Sequence, residues 1–213
     1  MSPDTELILD ILNDIEANLK TIHKHGSRAD SIVKSMLQHS RGGDGVMEPT
    51  PLNPLIKEYV NLAFHGMRAG KEPISVDIDL QLDENVGEVP LIAEDFSRVI
   101  LNLVNNAFDA MRTLSAERSA HGESYRPKLT VRTKSNTNTI TLEIEDNGPG
   151  IPDEMKDKIL QPFFTTKKGT AGTGLGLSIT NDIVKAHGGN IEVNSEPGRT
   201  MFSIELVHKS SLR

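Results

Sequence analysis

Over the first forty residues the apolar positions Ile8, Ile11, Ile15, Leu19, Ile22, Ala29, Ile32, Val33 and Met36 recur three or four apart, with charged residues between them. That spacing predicts one long amphipathic helix from Asp4 to Arg41, opened by Ser2 as a cap and Pro3 at the first helical position. Such a helix would be roughly 55 Å long, more than the globular remainder needs for itself. A stripe of that length calls for another helix to cover it, in a dimer or a bundle. Gly26 costs about 1 kcal/mol relative to Ala in a helix interior and is where a bend is expected.

The pattern then breaks. Arg41-Gly42-Gly43-Asp44-Gly45 followed by Glu48-Pro49-Thr50-Pro51 reads as a flexible and then stiff connection, which divides the chain into a helix (1–41), a linker (42–51) and a domain (52–213). Asn53-Pro54 is a cap-then-Pro helix start leading to Arg68, with Gly70 as the stop. Ile74, Val76, Ile78 and Leu80 alternate with polar residues and predict a strand with one face buried. A second helix opens at Glu94 or Asp95 and runs to Met111, and the polar residues 113–127 read as a surface loop. Two alternating strands, Lys128–Lys134 and Ile140–Asp146, flank the turn at Asn136-Thr137-Asn138. Residues 147–174 are mostly irregular, with one short helix over Asp153–Leu160, and a segment of that length points to a lid or binding loop. A helix over Leu175–His187 and the strands Asn190–Asn194 and Met201–Val207 close the domain. Some five strands and three main helices in mixed order predict an α/β two-layer sandwich.

Composition narrows the functions open to such a fold. A formal charge of −7 over 213 residues and the lack of a basic stripe argue against nucleic acid as the main partner. Zero cysteines exclude thiolate metal sites and a disulfide framework. No apolar run reaches the ~20 residues needed to span a bilayer, and the first residues carry acids where a signal peptide would carry bases, so a cytoplasmic location is expected.

Three stretches carry the chemistry. Gly169-Thr170-Ala171-Gly172-Thr173-Gly174-Leu175-Gly176-Leu177-Ser178 is a glycine-rich turn that opens a helix, where bare peptide N–H groups and the helix dipole favour an anion. It is neither a Walker A loop nor a Rossmann turn, because the required Lys and preceding strand are missing. Asn102 and Asn106 stand four apart on a helix, so both amides project to one side, and their oxygens are hard neutral donors suited to Mg²⁺. Asp146 ends an apolar strand, placed to accept a hydrogen bond from an exocyclic amine such as adenine N6, and Gly148 and Gly150 leave the following backbone open to a flat base.

Taken in order, Asn102-x-x-x-Asn106-Ala107, Asp146-x-Gly148-x-Gly150, Pro162-Phe163-Phe164-Thr165-Thr166-Lys167 and Gly172-x-Gly174-x-Gly176 resemble the catalytic, ATP-binding domain of sensor histidine kinases within the GHKL superfamily. The resemblance covers residues 52–207 and implies the Bergerat-type two-layer fold. It implies an ATP site built from Asn102, Asn106, Asp109, Asp146, Gly148, Gly150, Ile151, Lys167, Lys168, Gly172, Thr173, Gly174, Leu175, Gly176, Leu177 and Thr200, with Mg²⁺ on Asn106 and Asn102. Phe163 and Phe164 read as lid anchors, and Asp109 stands where many of these kinases carry a lysine toward phosphate.

Related ATPases such as the heat-shock chaperones and gyrase carry a Glu at the position of Asn102, and an amide cannot serve as that base. Slow hydrolysis and phosphoryl transfer to an external nucleophile are therefore expected. The long helix resembles the second helix of the kinases' dimerisation and phosphoacceptor hairpin, yet His23, His25 and His39 are followed by Lys24, Gly26 and Ser40, without the adjacent carboxylate of the family's acceptor. The resemblance thus implies a kinase portion that does not phosphorylate itself, with a response-regulator receiver domain as partner and homodimerisation through the long helix of a parent protein that is itself a candidate for membrane anchoring. A GHKL ATPase, a serine kinase and a non-catalytic nucleotide-binding dimerisation module stand as alternatives.

Overall fold

The structure, a computed structural model, describes residues 3–40, 45–70, 72–166 and 172–207. Helix α1 (Pro3–Ser40) runs unbroken through Gly26, where the bend was expected. Its residues Ile8, Ile11, Leu12, Ile15, Leu19, Ile22 and Val33 are all exposed.

Strand β1 (Glu48–Pro51) lies in the stretch read as a linker, and pairs antiparallel with β3 (Glu88–Leu91), which the sequence did not announce. Two prolines in four residues argue against a strand, but both are tolerated on a two-stranded edge. Thr50 between them is buried, with its hydroxyl on the Glu48 carbonyl at 2.9 Å. Helix α2 (Leu52–Arg68) begins one residue before the expected cap. Asn53 does not cap it; its amide donates to the Asp83 carbonyl and accepts from the Thr133 hydroxyl, both at 2.9 Å, and so fastens α2 to the sheet.

The main sheet is five-stranded, in the order β2 (Asp77–Leu82), β4 (Lys128–Ser135), β5 (Thr139–Asp146), β7 (Arg199–Val207), β6 (Asn190–Glu196). Only β2 and β4 run parallel; the other pairs are antiparallel. Helix α3 (Ala93–Ala120) packs between α2 and α5 (Gly176–Ala186) across one face. It runs well past the expected end near Met111, since Leu114, Ala116, Glu117 and Arg118 are good helix formers and the chain first breaks at Gly122, with φ of 71°. The short helix α4 (Asp153–Lys156) covers half of the expected span, and turns complete it.

Alternation along β5 sends Ile140, Leu142 and Ile144 into the core, and on β7 sends Phe202, Ile204 and Leu206. The opposite face carries Arg132, Glu143, Glu145, Lys134 and Arg199, matched in ion pairs between 2.8 and 3.8 Å. That face needs no further cover. The helix-covered face is where a site can be built, at the end of the sheet at which the inward rows run out.

Candidate functional site

The inward rows end on polar residues. On β5, the step of two after Ile144 brings Asp146 to the inner face, and on β7 the step of two before Phe202 brings Thr200 there. The two are register partners, and Thr200 is in turn the register partner of Ser195 on β6. All three are buried. They form a polar row across the end of the sheet, below the gap between α3 and α5.

That gap is a cavity of about 560 Å³. From α3 it is lined by Asn106, Ala107, Asp109, Ala110 and Thr113, and from the sheet by Asp146, Thr200 and Phe202. Gly150, Ile151, Met155, Ile159 and Phe164 form another wall, and Gly172, Thr173, Gly174, Gly176 and Leu177 close the side at the start of α5. Most of the site residues read from the sequence thus come together around one space. Gly148 and Leu175 stand just behind its surface, and Lys167 and Lys168 lie outside the described residues. Asn102 separates from Asn106: it does not line the cavity, and its amide N–H₂ reaches the Gly176 carbonyl at 3.2 Å and the Thr180 hydroxyl at 3.4 Å. It ties the first turn of α5 to α3.

Burial sets the electrostatics. The Asp146 carboxyl is pushed up to about 7 by loss of water, only partly offset by the N–H of Gly148, which donates to Oδ1 at 2.8 Å, and the neighbouring charge of Glu145 pushes the same way. Tyr125, with its hydroxyl on the carbonyl and side-chain oxygens of Asn147 at 3.0 Å, is pushed up to about 12 by burial and by the charge of Asp146. At the other end of the cavity α5 starts without a side-chain cap and without an acid in its first turn. Its leading N–H groups and dipole make that end attractive to an anion. A buried carboxylate that can accept from an amine and a helix start that favours an anion, both on one cavity, are compatible with a nucleotide.

Three of the glycines have a further reason to be glycine. A Cβ on Gly148 would lie 2.6 Å from Asp146 Oδ1, one on Gly150 would lie 2.3 Å from the Glu196 carbonyl oxygen, and one on Gly174 would lie 2.4 Å from the Phe163 carbonyl carbon. Gly150 and Gly174 also have φ of 83° and 70°. Gly150 and Gly174 require glycine because backbone packs on backbone there, and Gly148 because the Asp146 carboxylate fills the space, which together shape the cavity wall. Phe163, itself at φ 66° and half exposed, is the backbone that Gly174 abuts, whereas Phe164 lines the cavity. Asp109 forms an ion pair with Arg112 at 2.5 Å, and Arg112 Nε also holds the Glu72 carbonyl at 2.9 Å. The residue that sequence reading passed over is Ser195. A serine in an alternating strand looks ordinary, and only its place in the inward row after Ile191 and Val193 marks it.

Asn106 is the group fitted to a divalent cation, as a hard neutral oxygen donor on the cavity wall. Among the described residues no group of three His, Cys, Asp or Glu could hold a metal by itself. A cation here would take most of its ligands from phosphate and water, which is the habit of Mg²⁺.

Residues 92–210 match the family described as histidine kinase-, DNA gyrase B-, and HSP90-like ATPase. The sensory histidine kinase/phosphatase NtrB of Salmonella typhimurium is 37% identical over 144 residues, which is 63% of this chain and 38% of NtrB. The sensor kinase CckA of Brucella abortus is 32% identical over 197 residues, 89% of this chain and 20% of CckA. The chain therefore spans well under two thirds of these relatives. Among solved structures, the catalytic domain of histidine kinase ThkA superposes with a TM-score of 0.61 at 29% identity, over 76% of this chain and 97% of that domain. ThkA in complex with the response regulator TrrA gives 0.66 at 27% identity, over 93% of this chain and 53% of ThkA.

Proposed function

Because the chain belongs to the family of histidine kinase-, DNA gyrase B-, and HSP90-like ATPases, we propose that it is the catalytic portion of a sensor histidine kinase, which binds Mg·ATP in this cavity and passes the γ-phosphoryl to a histidine outside the chain. The observation that carries this reading is the convergence of Asp146, Asn106 and the start of α5 on one space of about 560 Å³. The kinase relatives point to the same chemistry.

In this reading Asp146 accepts the exocyclic amine of adenine, and Thr200 stands beside it. Ile151 and Phe164 give the base apolar walls. The peptide N–H groups from Gly172 to Leu177 receive the phosphates, helped by the uncapped helix start. Asn106, with Asn102 behind it at the first turn of α5, holds the cation side of the triphosphate, and bound Mg²⁺ supplies charge neutralisation at the transferring phosphoryl. At the position where the ATPase branch carries the Glu that activates water, this chain has Asn102, an amide whose N–H₂ is engaged with α5 and which cannot act as a base. Hydrolysis is then slow, and the γ-phosphoryl waits for a nucleophile presented from elsewhere.

The acceptor is on another helix, because His23 and His25 lack an adjacent carboxylate to take the ring proton. The complex of ThkA with a response regulator supports a receiver domain as the downstream partner. The test is transfer in trans. The chain is incubated with γ-labelled ATP, Mg²⁺ and a separate histidine-bearing hairpin of a relative. Acid-labile label on the hairpin and none on the chain is expected. Label on the chain itself, or steady phosphate release with none on the hairpin, contradicts the proposal.

A further inference from the structure

Ser195 Oγ lies at the junction of three segments. The backbone N–H of Ile151 donates to it at 2.8 Å, it reaches the Arg199 carbonyl at 3.0 Å, and the Thr200 hydroxyl lies 3.0 Å away. A serine hydroxyl has one proton and two lone pairs. Ile151 can only donate, so it occupies one lone pair. The Arg199 carbonyl can only accept, so it takes the proton. One lone pair is left for Thr200, and the arrangement that satisfies all three contacts has Thr200 donating its proton to Ser195.

The consequence falls on the cavity. Thr200 lines it with its proton turned away, and so presents lone pairs only. Beside it, as its register partner, Asp146 presents a carboxylate. Two acceptors side by side suit a group that carries two protons, such as an exocyclic amine. They repel an exocyclic carbonyl oxygen at the same place, and a site built this way rejects the wrong partner because a buried group is left unpaired.

We propose that Ser195 sets the purine selectivity of this site by holding the Thr200 hydroxyl as an acceptor, so that a 6-aminopurine nucleotide is taken and a 6-oxopurine nucleotide refused. Ser195 is a positioning residue, since it touches the base only through Thr200. The inference rests on the nucleotide reading of the cavity, and it adds to that reading a residue on a neighbouring strand that does not itself line the cavity.

The test compares ATP with ITP, which differ at the 6-position and the adjacent ring nitrogen, by calorimetric titration of the whole chain in Mg²⁺. The parent is expected to favour ATP. In Ser195→Ala the Thr200 proton is released to face the cavity, and the ATP-to-ITP preference falls by roughly tenfold, about one neutral hydrogen bond. A packing role alone would weaken both nucleotides together and leave the ratio in place. Thr200→Val provides the reading from the other side of the bond: the ratio falls, and adding Ser195→Ala changes it no further, as a coupled pair requires. Either single variant binding with the parental ratio overturns the inference while the nucleotide reading stands. A parent that binds neither nucleotide removes both.

Discussion

Asp146 sits at the end of a row of core residues, and the burial that places it there also raises its pKa to about 7. An Asp whose folded pKa is raised binds more protons folded than unfolded between about pH 4 and 7, so its contribution to stability falls as pH rises through that window. In the proposed site adenine is read by the ionised form, so affinity for ATP is expected to run the other way and weaken as pH drops below about 7, which titrations across that range will read. Asp146→Asn keeps an acceptor for the Gly148 N–H but removes the buried charge. It should stabilise the ligand-free chain near pH 8 by on the order of 2–4 kcal/mol and weaken ATP binding, a trade visible in melts with and without nucleotide. The glycines give a second residue-scale contrast. Gly150→Ala and Gly174→Ala each set a Cβ against backbone in a left-handed conformation and should cost about 2–4 kcal/mol. Gly176→Ala meets only the Asn102 side chain at 3.7 Å and should leave urea unfolding within about 1 kcal/mol of the parent.

Elements were legible where periodicity was clean and hidden where a single residue type pointed the wrong way. The strands β4, β5 and β7 follow from alternation, and with them the inward placing of Asp146 and Thr200. Strand β1 was masked by Pro49 and Pro51, and the last turns of α3 by serines and charges that read as loop although the run from Leu114 to Arg118 forms helix well. Asn53 looked like a cap because cap chemistry and a tertiary tie to Asp83 and Thr133 use the same amide. In the site, Asn102 and Asn106 share a helix face by spacing, but only contact with α5 tells them apart. Contact between elements also explains His187. Its Nδ1–H donates to the Ile183 carbonyl at 2.8 Å, and Nε2 accepts the Ile92 N–H at 2.9 Å, so the end of α5 holds the start of α3. With the ring also edge-on to Phe96, His187→Ala should cost about 1–3 kcal/mol, seen as a lower urea midpoint at unchanged slope.

For the whole molecule, the catalytic domain and α1 pose different physical problems. The domain buries its apolar rows between helices and sheet and pairs the charges on its outer face. Helix α1 leaves Ile11, Ile15, Leu19 and Ile22 between 48% and 67% exposed, a stripe that would be costly to keep in water. Self-association through this stripe is the outcome its spacing favours. Leu19→Glu should then shift the sedimentation of the chain toward the monomer and leave nucleotide affinity unchanged, since no described residue of α1 lines the cavity. The central claim is that the cavity between α3, α5 and the sheet end takes Mg·ATP. It is tested most directly by calorimetric titration of ATP, with and without Mg²⁺, into the parent, Asn106→Ala and Asp146→Ala. The account expects the parent to bind, Asn106→Ala to lose the gain that Mg²⁺ gives, and Asp146→Ala to lose its preference for adenine. Two variants that bind as the parent does would contradict it.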